Sequence, residues 1–270
     1  MEIMERTCNG VTYFASEGID AAGGVRHGFS TRLGGVSEGM WESLNLGVSR
    51  GDDPDHVREN YRRFFAAVGV DGGRIAMTNQ IHGGVVRCIT TADVRSDPYD
   101  KAGYEADGLM TDLPGVALLV YSADCIPILF YDPVRRVAAA VHAGWRGTAA
   151  GIASAAVERM REVYDCRPRD ILAAIGPGIG PDCFETHEDV PNAMTAALST
   201  AVLQHIKIKE NGKFSVDLKG INAMRLEQAG LEADHIAVSA LCSACHPDKF
   251  WSHRRLGTNR GSMAAVIQLK

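Results

Sequence analysis

Between Gly115 and Thr148 the chain reads GVALLVYSADCIPILFYDPVRRVAAAVHAGWRGT, three apolar runs separated by short polar breaks. The runs at 116–120, 126–131 and 137–141 are rich in Val, Ile and Leu and lack polar alternation. Such runs predict strands buried on both faces, so the rest of the chain has to wall them in. The reactive side chains of the stretch, Asp124, Cys125 and His142, fall at strand ends. There a rigid sheet hands over to a loop, a common mount for chemistry. The stretch predicts an active-site core with a soft metal site.

The flanking sequence supplies the walls. VTYFAS, IDAAGG and VRHGFSTR in residues 11–30 predict a strand, a turn and a strand. LGGVSEGMWESLNLG (33–47) is an ordered loop, because Trp41, Leu44 and Leu46 need cover. It is either a surface connection or a binding loop that brings Arg32 and the Gly34–Gly35 backbone near a ligand anion. Val57, Tyr61, Phe64, Phe65 and Val68 recur at helical spacing, with Pro54 before them and Gly72–Gly73 beyond, so 55–70 predicts a helix. IAMTNQIHGGVVRCI reads as strand, polar interruption and strand, and the interruption sets His82 beside two glycines. Residues 91–106 predict a surface loop, and ADGLMTDLPG a short element ending at a Pro–Gly turn. Further helices are expected over 148–164, in VPNAMTAAL and in the segment ending at Gly230. Further strands are expected in ILAAIG, FSVD, HIAVS and the C-terminal MAAVIQL. No repeat or linker interrupts the 270 residues, so one domain, 1–270, is the expected organisation.

Composition removes several function classes. A formal charge of −5 without a long basic run argues against a nucleic-acid partner. The start, MEIMERTCNGVTYF, has no basic region leading into an apolar segment, which predicts no signal peptide. No run approaches the roughly 18 apolar residues of a membrane span. A cytoplasmic, membrane-free protein is expected, with seven reduced cysteines whose odd number opposes a closed disulfide framework. The ordinary surface composition predicts a monomer.

His82, Cys125 and His142 are a possible zinc set, one thiolate and two imidazoles that leave a fourth position for water or substrate. The spacing of 43 and 17 positions is not itself a zinc signature. A Cys–His dyad reads equally well from the same residues: Cys125 as nucleophile, His142 as base, and Asp124 or another polar group orienting the imidazole. That would be a metal-free hydrolase or amidase. CSACH (242–246) matches the haem-attachment pattern. A lone C-x-x-C pair could also be half a structural zinc site, a redox pair or two buried thiols, and the last is preferred. GPGIGP (176–181) meets neither the dinucleotide fingerprint nor the P-loop, so a structural turn is expected. In FWSHRR (250–255), Phe250 and Trp251 precede two arginines, suiting either a nucleotide site or a buried aromatic pair with solvated arginines.

Taken together, HGFSTRLGGVSEG, NLG, NQIHG, DGLMT, SADCIPILFYDP, VHAGWRGT, AIGPGIGPDCFE and FWSHRR, spread from residue 27 to 255, resemble the YfiH/YlmD family. This is the laccase-domain, polyphenol-oxidase-like family of purine nucleoside phosphorylases. The resemblance implies an α+β fold, mixed sheets packed as a sandwich and flanked by helices, shared with cysteine-deamidase-like toxins. It implies that His82, Cys125 and His142 ligate zinc, with copper possible at the same donors, and that Asp124 supports them. It implies phosphorolysis of adenosine, inosine, guanosine and methylthioadenosine to base and ribose 1-phosphate, with adenosine deamination. Arg32, Asn45, Arg146, His253 and Arg254 are the candidates for holding phosphate or ribose, and the partners implied are purine nucleosides and phosphate. The alternatives are a copper-dependent polyphenol oxidase, the Cys125/His142 hydrolase, a role in peptidoglycan-precursor editing, and a non-enzymatic binding protein. A four-copper laccase needs repeated His-x-His pairs, and the chain has none. The sequence departs from the family at Asp182–Cys183–Phe184–Glu185, where relatives often have two adjacent cysteines.

Overall fold

A computed structural model describes residues 1–198 and 200–270. Strands and helices are numbered in chain order. One sheet holds β1 (Ile3–Cys8), β2 (Val11–Ser16), β3 (Val25–Ser30), β4 (Ile75–Ala76), β7 (Ala117–Ser122) and β15 (Met263–Leu269), in the spatial order β1-β2-β3-β15-β7-β4. A second holds β5 (Val86–Cys88), β6 (Gly108–Thr111), β8 (Ile126–Asp132), β9 (Val137–Ala143), β10 (Leu172–Ile175) and β14 (Ile236–Val238), ordered β14-β10-β8-β9-β6-β5. A small third sheet joins β11 (Glu185–Thr186), β12 (Ile206–Ile208) and β13 (Phe214–Val216). The helices are α1 (Glu17–Ala22), α2 (Pro54–Val68), α3 (Trp145–Ala149), α4 (Ile152–Tyr164), α5 (Asp189–Leu198), α6 (Leu218–Gln228) and α7 (His253–Leu256).

The three apolar runs are β7, β8 and β9, and every residue of β8 and β9 is buried. Their inward side chains close the sandwich: Leu118 and Val120 of β7 share one cluster with Leu129, Tyr131, Ala138 and Ala140. On the outer face of the second sheet, Ile128, Phe130 and Val141 meet Ile152, Val157 and Met160 of α4 and Ile221 of α6. On the outer face of the first, Leu119 and Val266 meet Tyr61, Phe64 and Phe65 of α2. Two mixed sheets packed as a sandwich with helices on both outer faces are the expected architecture. Each sheet needs a cover on each side because its central strands carry no polar face.

Local punctuation accounts for the departures. IDAAGG is a helix and not a turn, because the Ser16 hydroxyl caps it and Gly23 at φ 67 ends it. The expected helix over 55–70 stops earlier, at Gly69, whose left-handed backbone (φ 78) caps it and returns an N–H to Phe65. The expected helix over 148–164 is two helices, since Gly151 at φ 76 cannot continue one. SHRR contributes Ser252 as the cap of the short helix α7. No helix among the described residues is long and apolar enough to cross a membrane.

Candidate metal centre

Four neighbouring strands of the second sheet bring one residue each to the same end. Cys125 directly precedes β8, His142 is the penultimate residue of β9, Asp107 directly precedes β6, and His82 lies in the turn before β5. The register fixes the approach: Pro127 pairs with His142 and Gly108 with Val141. The His142 amide donates to the Asp107 carbonyl at 2.7 Å. Residues 43 and 17 positions apart therefore meet through sheet order.

The donor atoms of His82, Cys125 and His142 all lie within 4.8 Å of one another. The two imidazoles meet edge to face, their centroids 4.9 Å apart. Gly144 makes room: a Cβ there would sit 2.9 Å from His82 Cδ2 and 3.2 Å from Cys125 Sγ. The set grades from buried His142 through half-buried Cys125 to exposed His82, so it opens to one side.

The carboxylate beneath it is Asp107, not Asp124. Fully buried Asp107 places Oδ1 2.9 Å from His142 Nδ1, and the same oxygen accepts the His82 amide at 2.9 Å. Its Oδ2 accepts the amides of Gly83 at 2.7 Å and Ile81 at 3.2 Å. One carboxylate thus orients the His142 ring, leaving Nε2 for the site, and gathers the turn that holds His82 at φ 60. Burial would raise the Asp107 carboxyl, but the His142 hydrogen bond and these amides bring it below its ordinary value. Burial would also raise the Cys125 thiol. The charge and hydrogen bonds of His142 and His82 outweigh that and bring it down to about 6. Burial would lower His142, yet Cys125 and Asp107 push it up to about 9. In the metal-free protein the two form a thiolate–imidazolium pair.

Asp124 has a different task from the expected one. Its backbone turns at φ 92 to hand the chain from β7 in one sheet to β8 in the other. Its carboxylate accepts the Ser243 hydroxyl at 2.6 Å and the Arg254 amide at 2.6 Å, fixing the start of α7. GPGIGP buttresses the same turn. Gly178 passes so close that a Cβ would lie 2.6 Å from Ile126 Cδ1, and the Ile179 amide donates to the Asp124 carbonyl at 2.7 Å.

His82, Asp124, Cys125, His142, Arg146, His253 and Arg254 line one cavity of about 950 Å³. Arg32 and Asn45 do not. The Arg32 guanidinium bonds the Glu42 and Pro247 carbonyls and stacks 3.8 Å from the Trp251 ring centroid. Buried Asn45 ties Asp52, Gly47 and Ser262 together. Both hold the 33–47 loop in place, so that loop is packing as far as Leu46, and the cavity wall is Gly47 and the residues after it to Arg50. Phe250 and Trp251 are fully buried, which makes them core and not a face for a base. The aromatic rings that do line the cavity are Tyr99, Tyr121, Trp145 and Phe184.

Three cavity cations, Arg50, Lys101 and Arg260, are absent from the expected set. Buried Arg260 bonds the Gly261 carbonyl and the Ser262 hydroxyl through Nη1, while its Nε has no partner. Arg50 shares Ser262 through Nε at 3.2 Å. Burial and the neighbouring Arg50 charge hold Arg260 down to about 10. Two adjacent guanidiniums with an unpaired buried donor make an anion-seeking wall. Neither residue has a neighbourhood in the sequence that marks it. Asp107 does have one signal, its place in the DGLMT segment.

Residues 26–270 match the family model described as multi-copper polyphenol oxidoreductase laccase. The purine nucleoside phosphorylase YlmD of Geobacillus stearothermophilus is 36% identical over 246 residues, covering 90% of each chain. The purine nucleoside phosphorylase YfiH of Escherichia coli is 37% identical over 249 residues, 91% of this chain and 94% of that one. The crystal structure of YlmD from Geobacillus stearothermophilus superposes over 100% of both chains with a TM-score of 0.92 at 33% identity.

Proposed function

From the premise that the chain belongs to this YfiH/YlmD laccase-domain family, we propose that it is a zinc-dependent purine nucleoside phosphorylase that also deaminates adenosine. The observation that carries the reading is the convergence of His82, Cys125 and His142 on a cavity that the cationic Arg260 and Arg50 also line, with Arg260 Nε unpartnered. Two nitrogens, one sulfur and an open side suit zinc, and the Asp107–His142 bond fixes the ring as ligating histidines require. A bound zinc supplies a Lewis acid that lowers the cost of negative charge on an oxygen placed against it.

Phosphorolysis moves ribosyl C1′ from the purine nitrogen to a phosphate oxygen, and the electron pair of the broken bond leaves on the purine. The chain's part is to hold a dianion beside a neutral sugar. Arg50, Arg260, Arg146 and Arg254 are the groups to do so. Arg254 is positioned by Asp124, whose carboxylate anchors its amide, and by the Glu185 carbonyl, which accepts its Nη1 at 2.9 Å. Arg146 stacks on Trp145, 4.2 Å from the ring centroid, leaving its charge toward the cavity. Trp145, Phe184 and Tyr121 supply apolar faces for a purine. Deamination exchanges the C6 amino group for water's oxygen in the same cavity and needs no phosphate.

The test is chromatography of adenosine incubated with the purified protein, with and without phosphate. Adenine and ribose 1-phosphate formed only with phosphate support the phosphorylase, and inosine in both tubes supports the deaminase. Unchanged adenosine with a zinc-loaded protein sinks both. A second reading is favoured by the Cys125–His142 pair with Asp107 behind it, a nucleophile, base and orienter in series. Hydrolysis of an amide that survives chelation and stops on Cys125 alkylation would support that reading over the zinc one.

A further inference from the structure

The C-x-x-C pair of the sequence gains a third sulfur in the fold. After β10 the chain makes the 176–184 turn, which lies along the 241–246 turn through a Gly178–Cys242 bridge and a Ser243 amide bonded to the Gly178 carbonyl at 3.0 Å. This sets Cys183 Sγ 3.3 Å from Cys245 Sγ, and the sulfurs of Cys183, Cys242 and Cys245 all lie within 4.8 Å of one another. We propose that these three cysteines form a second metal site, separate from the His82/Cys125/His142 set, that takes one thiophilic d¹⁰ cation, Zn²⁺ or Cu(I).

The geometry suits such an ion. Zn–S bonds of about 2.3 Å in tetrahedral arrangement separate neighbouring sulfurs by roughly 3.8 Å, within the spread seen here. Cys242 and Cys245 have the two-residue spacing that wraps one ion. The Gly180 amide donates to Cys242 Sγ at 3.1 Å, a bond that stabilises a thiolate. Glycine is what lets that backbone approach, since a Cβ at 180 would lie 3.1 Å from Cys242 Cβ. Buried Cys242 anchors the site, while exposed Cys245 gives the ion its way in and leaves the remaining position to solvent. Each thiol that ligates releases its proton to water.

The ion would join the two turns that support the cavity. Phe184, next to Cys183, lines the cavity, Ser243 holds Asp124, and the Ala244 carbonyl accepts Arg255 Nη1 at 3.1 Å.

The test is titration of the reduced, metal-free full chain with Co²⁺ as an optical probe, then with Zn²⁺, and with Cu(I) against a chromophoric Cu(I) chelator. The wild type is expected to bind about two Co²⁺. Thiolate-to-cobalt absorption scales with the number of Co–S bonds. Cys183→Ser/Cys245→Ser should therefore drop the count to about one and remove most of that absorption, leaving the Cys125 contribution. Cys125→Ala should drop the count to about one and keep most of it. Circular dichroism checks folding, and Cys245→Ser alone, at an exposed position, serves if the double variant misfolds. Retention by the chelator of all Cu(I) beyond that held by the Cys125 site, with Zn²⁺ bound, assigns the site to zinc; the converse assigns it to copper. The proposal fails if the wild type binds only one ion, lost in Cys125→Ala, or if the serine variants still bind two. A Cys183–Cys245 disulfide in the isolated protein, with no second ion taken up after reduction, also overturns it.

Discussion

The two cysteine-containing three-donor groups each gather their donors within 4.8 Å and have opposite construction. His82, Cys125 and His142 stand at the end of a four-strand stretch of sheet with a buried carboxylate under them. Cys183, Cys242 and Cys245 sit on two turns joined by backbone pairing, with the Gly180 amide donating to the Cys242 sulfur. A mixed nitrogen–sulfur set beside a large cavity leaves room for chemistry. An all-sulfur set between turns has only those turns to hold. The difference teaches that donor count does not distinguish a reaction centre from a clasp. What lies behind the donors, and what they face, does.

The largest expected effect comes from removing the sulfur at the cavity. Cys125→Ala should abolish metal at that site and with it phosphorolysis, measured as stoichiometric zinc and as adenine release. Normal zinc at the His82/His142 position in that variant would break the distinction. Next is the carboxylate, which only one group has. Asp107→Asn keeps the shape but loses the charge toward His142 Nδ1 and the three amides. Losing such support typically costs about 10–100-fold in metal affinity. That loss should appear in a zinc competition titration at the cavity site alone, leaving the cysteine cluster unchanged.

These contrasts also mark how far the sequence could be read. β7, β8, β9 and α2 were legible because their burial repeats locally, in unbroken runs or at helical spacing. β1, with its central residues exposed, carries no such pattern, and β12 is too short for one. The convergence of His82, Cys125 and His142 came from resemblance, since sheet order and not spacing brings them together. Adjacency to Cys125 in the chain points to Asp124 for the role that Asp107 fills. Asp107 reaches His142 by cross-strand pairing, which adjacency does not show. Arg50 and Arg260 are 210 positions apart and meet only over Ser262. Cys183 was missed as a partner of Cys242 for the same reason. Arg32 and Asn45 look available in a glycine-rich loop, but backbone partners in the fold occupy both side chains.

A smaller effect separates the cavity from the clasp by charge. Arg260→Gln removes a cation facing the cavity while leaving both donor groups intact. A hydrogen bond to a charged group is worth about 1.5–3 kcal/mol, so KM for phosphate should rise about tenfold or more. KM for the nucleoside and the number of bound ions should hold. Equal increases in both KM values would mean that Arg260 shapes the cavity and does not hold the anion.

The smallest expected change is a flat line. Cys125 is held at about 6, and a depressed acid is ionised above that value, so in the metal-free protein its alkylation by iodoacetamide should be near its plateau by pH 7. An ordinary thiol, with its value near 8.5, gains roughly tenfold or more between pH 7 and 9. The linked stability terms have opposite signs. The Cys125 contribution is present above the unfolded thiol value and is lost as pH falls through about 6. The His142 contribution is present below about 6.5 and is lost as pH rises through about 9. The pair holds one proton between them across that window, so the two slopes oppose and the denaturation midpoint of the metal-free protein should change little from pH 6.5 to 9. Peptide mass spectrometry of alkylated Cys125 reads the first profile and a denaturant series the second. A Cys125 rate that climbs steadily to pH 9 would mean that the carboxylate beneath His142 does not charge the pair, and the contrast with the cysteine clasp would reduce to ligand type alone.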